Sequence, residues 1–142
     1  MMKNQLKMSF DSLSENVGIA RITAAAFSSQ VDFTLSDIEE IKVAISEAVS
    51  NAVIHGYAET KGTIEMIMTL CDNYIEYVVS DQGAGIADVN LARQPAYSSM
   101  PERMGLGFVF MESFMDELEV KSTVGSGTMV RMIKKFDAKP VH

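Results

Sequence analysis

Tryptophan is absent from this chain, and cysteine, histidine and proline are scarce: one, two and three residues among 142. The single cysteine, Cys71, has no partner for an internal disulfide, and two histidines cannot supply a Cys/His cluster with zinc spacing. Cys71 therefore reads as a small apolar filler on a strand. Basic residues are also in deficit, 12 Lys and Arg against 19 Asp and Glu, for a net charge of −7. That balance argues against general affinity for nucleic acid or anionic lipid, which both need a basic surface, but leaves room for a local phosphate site. No apolar run approaches the roughly 20 residues needed to cross a bilayer. The opening "MMKNQLKMSF" lacks the basic-then-apolar order of a signal peptide, so a cytoplasmic protein is expected. Repeats, low-complexity tracts and linkers rich in Pro, Gly or Ser are missing too, which predicts one domain over residues 1–136 and a loose tail over 137–142.

What is abundant is apolar. Hydrophobic residues make up 47% of the chain, enough for one substantial core, and eleven methionines suit an adaptable core or contact surface. A short strand is predicted around Leu6 to Phe10. "SLSE" at Ser12 to Glu15 fits a capping box, and Val17, Ala20, Ala24 and Phe27 recur at helical spacing, predicting a helix to about Gln30. "SDIE" at Ser36 to Glu39 repeats the capping pattern. From Ile38 to Val53 a wide apolar stripe then predicts a second helix that Gly56 ends. "TIEMIMTL" and "YIEYVVS" read as a hairpin turning at "CDN". A third helix is predicted from near Gly105, followed by strands "LEVKST" and "TMVRMIKKF" joined at "VGSG". This order predicts a two-layer α/β sandwich, with helices on one face of a mostly antiparallel mixed sheet.

The second helix carries polar residues where apolar ones would pack better. Glu47 and Asn51 are four apart and share one face, with His55 a turn further on. After the strand "YVVS" comes "DQGAG", Asp81 to Gly85, where two glycines would let a flat ligand approach the backbone without meeting a Cβ. "GLG", Gly105 to Gly107, stands where a helix begins, and N–H groups at a helix start attract phosphate. "GSGT", Gly125 to Thr128, lies between the last two strands. Each has a plainer reading alone: an exposed polar stripe, a turn, a helix cap and a hairpin turn. The stretch "RQPAYSSMPERMG", between Arg93 and Gly105, has no clear period and reads as a lid or a surface loop.

Taken in order, E-x-x-x-N on a helix, D-x-G-x-G after a strand, G-x-G opening a helix and G-x-G-T between strands resemble the GHKL ATPase superfamily, with its Bergerat fold. The likeness spans roughly Ser36 to Lys134. Within it, "IKVAISEAVSNAVIHGY", "DQGAGI", "ARQP" and "GLGFVFMESFMDELEV" are similar to the anti-sigma F family, small protein-serine kinases of spore-forming bacteria. The resemblance implies ATP and Mg²⁺ as cofactors, with Asn51 on the metal and Glu47 as general base toward an incoming serine. It implies Asp81 and Thr128 on the adenine edge, Gly83 and Gly85 beside the base, and backbone N–H groups of Gly105, Leu106, Gly107 and Phe108 on the phosphates. Arg103 would meet the terminal phosphate and Arg21 a protein partner, while His55 would hold the Gly56 helix end or the lid. The implied partners are a sporulation sigma factor, an anti-anti-sigma protein phosphorylated on serine, and a second copy in a homodimer. Three alternatives remain: a stress-response anti-sigma kinase of the same family, an ATP-dependent binding module without kinase activity, and a histidine-kinase catalytic domain. The last would follow a dimerisation helix bearing a phosphorylatable histidine, and no such helix is read here.

Overall fold

In the computed structural model the described residues are 1–57, 61–85, 89, 93 and 104–137, with the backbone alone for His55, Met104 and Gly105. The elements run β1 (Asn4–Asp11), α1 (Glu15–Ser28), α2 (Leu35–Asn51), a π-helical turn (Ala52–Gly56), β2 (Thr63–Leu70), β3 (Tyr74–Asp81), α3 (Met104–Phe114), β4 (Glu117–Thr123) and β5 (Gly127–Lys135). The strands form one sheet in the order β1-β2-β3-β5-β4, and all four pairings are antiparallel. A mixed sheet was the expectation. The chain does run β3, α3, β4 as a parallel crossover would, but β5 inserts between the two parallel strands, so they never pair.

Alternation along the strands decides which face the helices cover. Ile64, Met66 and Met68 of β2, Ile75, Tyr77 and Val79 of β3, and Val130 and Met132 of β5 are buried on one face. Against them lie Ala20, Ala24 and Phe27 of α1, Ile41, Ala44, Ile45, Ala48 and Val49 of α2, and Phe108 and Met111 of α3. Four of the eleven methionines are among these core residues, filling gaps between helix and sheet. One polar pair sits inside: the Tyr77 hydroxyl hydrogen-bonds Ser28 Oγ, which itself donates to Ala24 O at 2.7 Å. Burial pushes the Tyr77 phenol above its ordinary range, with the Ser28 hydroxyl opposing.

Both helix starts differ from expectation. Helix α2 begins two residues early, because Thr34 and Asp37 form the capping box: Asp37 N–H donates to Thr34 Oγ1 and Thr34 N–H to Asp37 Oδ2, both at 3.0 Å. Helix α1 has Ser14 at its N-cap with no side-chain cap bond. Ser12 is otherwise engaged, accepting from Gly62 N–H at 2.8 Å and donating its own N–H to Gly62 O at 2.9 Å, which fastens the end of β1 to the start of β2. Cys71 is buried, but in the β2–β3 turn rather than on a strand. Lys134 is one of the few buried charges. Its Nζ donates to Glu40 Oε1 at 2.9 Å and to Phe114 O at 2.6 Å, tying β5 to α2 and to the last turn of α3.

Candidate functional site

Between α2, β3, β5 and α3 runs a narrow slot whose empty space comes to about 380 Å³ when the open solvent at its mouth is counted. Its walls are apolar, from Ala48, Ala52, Val79, Phe108 and Val130, and its polar groups come from Asn51, Asp81 and Thr128. A slot of this kind fits a flat, mostly apolar ring with a polar edge. Ala48 of α2 and Ala52, one turn on at the start of the π-helical turn, leave the room that larger residues would fill.

Asp81 ends β3 opposite Thr128 and is 9% exposed. Its Oδ1 accepts the Gly83 N–H at 2.9 Å. Burial pushes the Asp81 carboxyl up, while the N–H groups of Gly83 and Thr128 pull it back down. Thr128 Oγ1 shares a hydrogen bond of 2.8 Å with Ser122 Oγ.

The glycines around Asp81 also let the backbone cross closely behind it. A Cβ at Gly83 would stand 1.9 Å from Gly56 O, one at Gly85 2.2 Å from Thr123 O, and one at Gly127 2.0 Å from Asp81 O. Gly85 and Gly127 also have φ of 76° and 110°, which side chains disfavour. These glycines let three backbone segments cross in contact, and Gly85 alone of the three also lines the slot. Ala84 N–H donates to Gly56 O at 2.9 Å and Gly125 N–H to Ala84 O at 2.8 Å, completing the knot behind the carboxylate.

Asn51 closes α2 and lines the same slot. Its Nδ2 is the one buried side-chain N or O atom without a hydrogen-bond partner among the described residues. A carboxamide in that state suits a ligand, and its oxygen suits Mg²⁺ of the kind that keeps phosphate and water in most of its shell. Gly107 of α3 passes close: a Cβ there would lie 3.4 Å from both Asn51 Nδ2 and Glu47 Oε2. Gly105, Leu106, Gly107 and Phe108 occupy the first turn and a half of α3, whose first four N–H groups precede any intrahelical acceptor. Phe108 is the fifth residue of α3, and its buried side chain forms a slot wall.

Glu47 and Arg21 meet in a second place. Both line a groove between α1 and α2, with Lys42, Val43 and Ser46, so the residue assigned to proton transfer and the one assigned to partner contact share one surface. His55 lies in the π-helical turn, where Tyr57 N–H donates to Ala52 O five residues back at 3.2 Å, so α-helical spacing from Asn51 does not extend to it. Arg103 and residues 94–103 of the expected lid lie outside the described residues. Arg93, at its edge, pairs with Glu112 of α3 at 2.8 Å. Ala48 and Ala52 were not legible as site residues; the small residues flanking Asn51 were the one available signal.

Residues 10–134 match the histidine kinase-like ATPase domain family. A Pasteuria penetrans protein named anti-sigma F factor is 49% identical over 142 residues, covering 97% of this chain and 95% of that protein. A Clostridium acetobutylicum protein of the same name is 44% identical over 138 residues, covering 96% of each. The crystal structure of the RsbU and RsbW domains of a Mycobacterium tuberculosis protein aligns with a TM-score of 0.67 at 24% identity, over 94% of this chain and 32% of that one, and shows a shared fold. The chain therefore belongs to the histidine kinase-like ATPase family, among the relatives named anti-sigma F factors.

Proposed function

We propose that this protein is an ATP-dependent anti-sigma factor that holds a sporulation sigma factor inactive in the cytoplasm and phosphorylates a serine of the sigma factor's antagonist. The observation that carries the reading is one slot lined by both Asp81 and the orphaned Asn51 amide, with Asn51 Nδ2 and Glu47 Oε2 each 3.4 Å from where a Cβ at Gly107 would stand. Bound Mg-ATP would supply the transferable phosphoryl group and the charge that neutralises its oxygens. Asp81 accepts from the exocyclic amine of adenine, a charge-assisted bond of about 1.5–3 kcal/mol that guanine cannot make, and Thr128 supports the same edge. Asn51 would offer its carboxamide oxygen to the metal, and the first N–H groups of α3 would bind the phosphates, a task we also assign to the Arg103 guanidinium.

Glu47 takes the proton from the serine hydroxyl. Its place in the same groove as Arg21 supports this role, because a partner docked on Arg21 would bring a loop to Glu47. A homodimer belongs to the same proposal. The test is incubation with labelled ATP, Mg²⁺ and the antagonist. Glu47→Gln should keep ATP and sigma-factor binding while serine phosphorylation falls by about 10²–10⁴-fold. Unchanged transfer would remove Glu47 as the base, and no phosphoserine from the unaltered protein would leave an ATP-dependent binding module.

A further inference from the structure

The β2–β3 ladder ends at Ile64 and Asp81, and its register would next pair Thr63 with Gln82. A side chain takes the place of that pair. Gln82 N–H donates to Tyr57 Oη at 2.7 Å, and Tyr57 Oη donates to Thr63 O at 3.0 Å. The phenol thus uses both its acceptor and its donor capacity between two backbone groups that would otherwise face each other directly. One hydroxyl wedged into a ladder holds the strands apart there, one residue after Asp81, where β3 leaves the sheet for the glycine loop.

The wedge is itself held. Tyr57 N–H is bonded to Ala52 O in the π-helical turn, and its ring lies where any side chain at Gly62 would go, with a Cβ there only 2.2 Å from Tyr57 Cε1. The neighbouring Gly56 carbonyl receives the Ala84 N–H. Tyr57 lines no part of the slot; it borders a hollow on the opposite side of the sheet edge with Ser9, Glu65 and Ser80.

We infer that Tyr57 is a positioning residue for nucleotide-base recognition: its hydroxyl sets where β3 peels away and so aims the Asp81 carboxylate at the base. This rests on Asp81 being the acceptor for adenine. Because Tyr57 acts through Asp81, its removal should weaken ATP but not GTP, which lacks the exocyclic amine at that position.

The test compares the full-length protein with Tyr57→Phe, Asp81→Asn and the double variant, measuring equilibrium binding of Mg-ATP and Mg-GTP and the hydrogen exchange of the Gln82 amide. Phenylalanine keeps the ring over Gly62, and circular dichroism checks the fold. Tyr57→Phe should weaken ATP binding about five- to tenfold, leave GTP binding unchanged and speed exchange at Gln82. In the Asp81→Asn background it should change ATP binding no further. Equal losses for both nucleotides, additive losses in the double variant, or unchanged ATP binding by Tyr57→Phe beside a weakened Asp81→Asn would each overturn the Tyr57 role alone. Asp81→Asn with intact ATP preference would instead overturn the reading of Asp81, and the Tyr57 role with it.

Discussion

Asp81 is held in the folded chain at a cost. Burial raises its carboxyl, so the folded state binds a proton more tightly than the unfolded state, and the ionised form weakens the fold at neutral pH. The penalty is relieved as pH falls through the raised value and vanishes below the ordinary carboxylate value of about 4. Asp81→Asn keeps an oxygen for the Gly83 N–H and removes the charge. Without nucleotide it should melt at a higher temperature than the parent at about pH 7, and the two curves should converge near pH 4. The same variant should lose most of its affinity for ATP. A lower melting temperature at neutral pH would contradict the desolvation argument. A site that tolerates a destabilising charge is common where binding depends on that charge.

At the scale of elements, the backbone crossing of the π-helical turn with the loop after β3 does the positioning. The turn's i to i−5 bond widens the end of α2 and brings the Gly56 carbonyl to Ala84 N–H. Gly83→Ala would push a methyl group into Gly56 O and should destabilise by about 2–3 kcal/mol while impairing ATP binding. Gly125→Ala is the control: nothing lies within 4 Å of the added carbon, and only the φ of 80° opposes it. It should cost about 1 kcal/mol. Urea midpoints would rank the two, and equal costs would mean that conformation rather than contact dominates at Gly83. From the sequence, Gly56 was legible only as a helix end. Whether a helix closes in an α or a π turn depends on what its last carbonyls meet in space, here the loop after β3.

For the whole molecule, helices cover one face of the sheet and the ligand slot opens along the seam between them, so binding is linked to global stability. A nucleotide at 100 times its dissociation constant adds about 2.7 kcal/mol, which for a domain of this size raises the melting temperature by about 8–10 °C. Mg-ATP should give that shift. Asn51→Ala should reduce it to the value seen with ATP and a chelator, and an undiminished shift would undo the metal assignment. Net charge of −7 adds general repulsion toward nucleotides. Affinity must therefore come from local dipoles and N–H groups.

Element types and their order were legible along the chain, because periods of 3.6 and 2 write the buried face of helix and strand into neighbouring residues. So were Glu47 and Asn51, one turn apart on a single helix, and Asp81 at the end of an apolar strand. Groups joined only by folding were not. The β5 insertion that makes the sheet wholly antiparallel, the glycines at 83, 85 and 127 that clear carbonyls of crossing segments, and the Arg21–Glu47 groove each join segments far apart in sequence. The Tyr57 hydroxyl between Thr63 and Gln82 belongs with them: local periodicity records which way a side chain faces, and contact between distant segments is settled only when the layers pack.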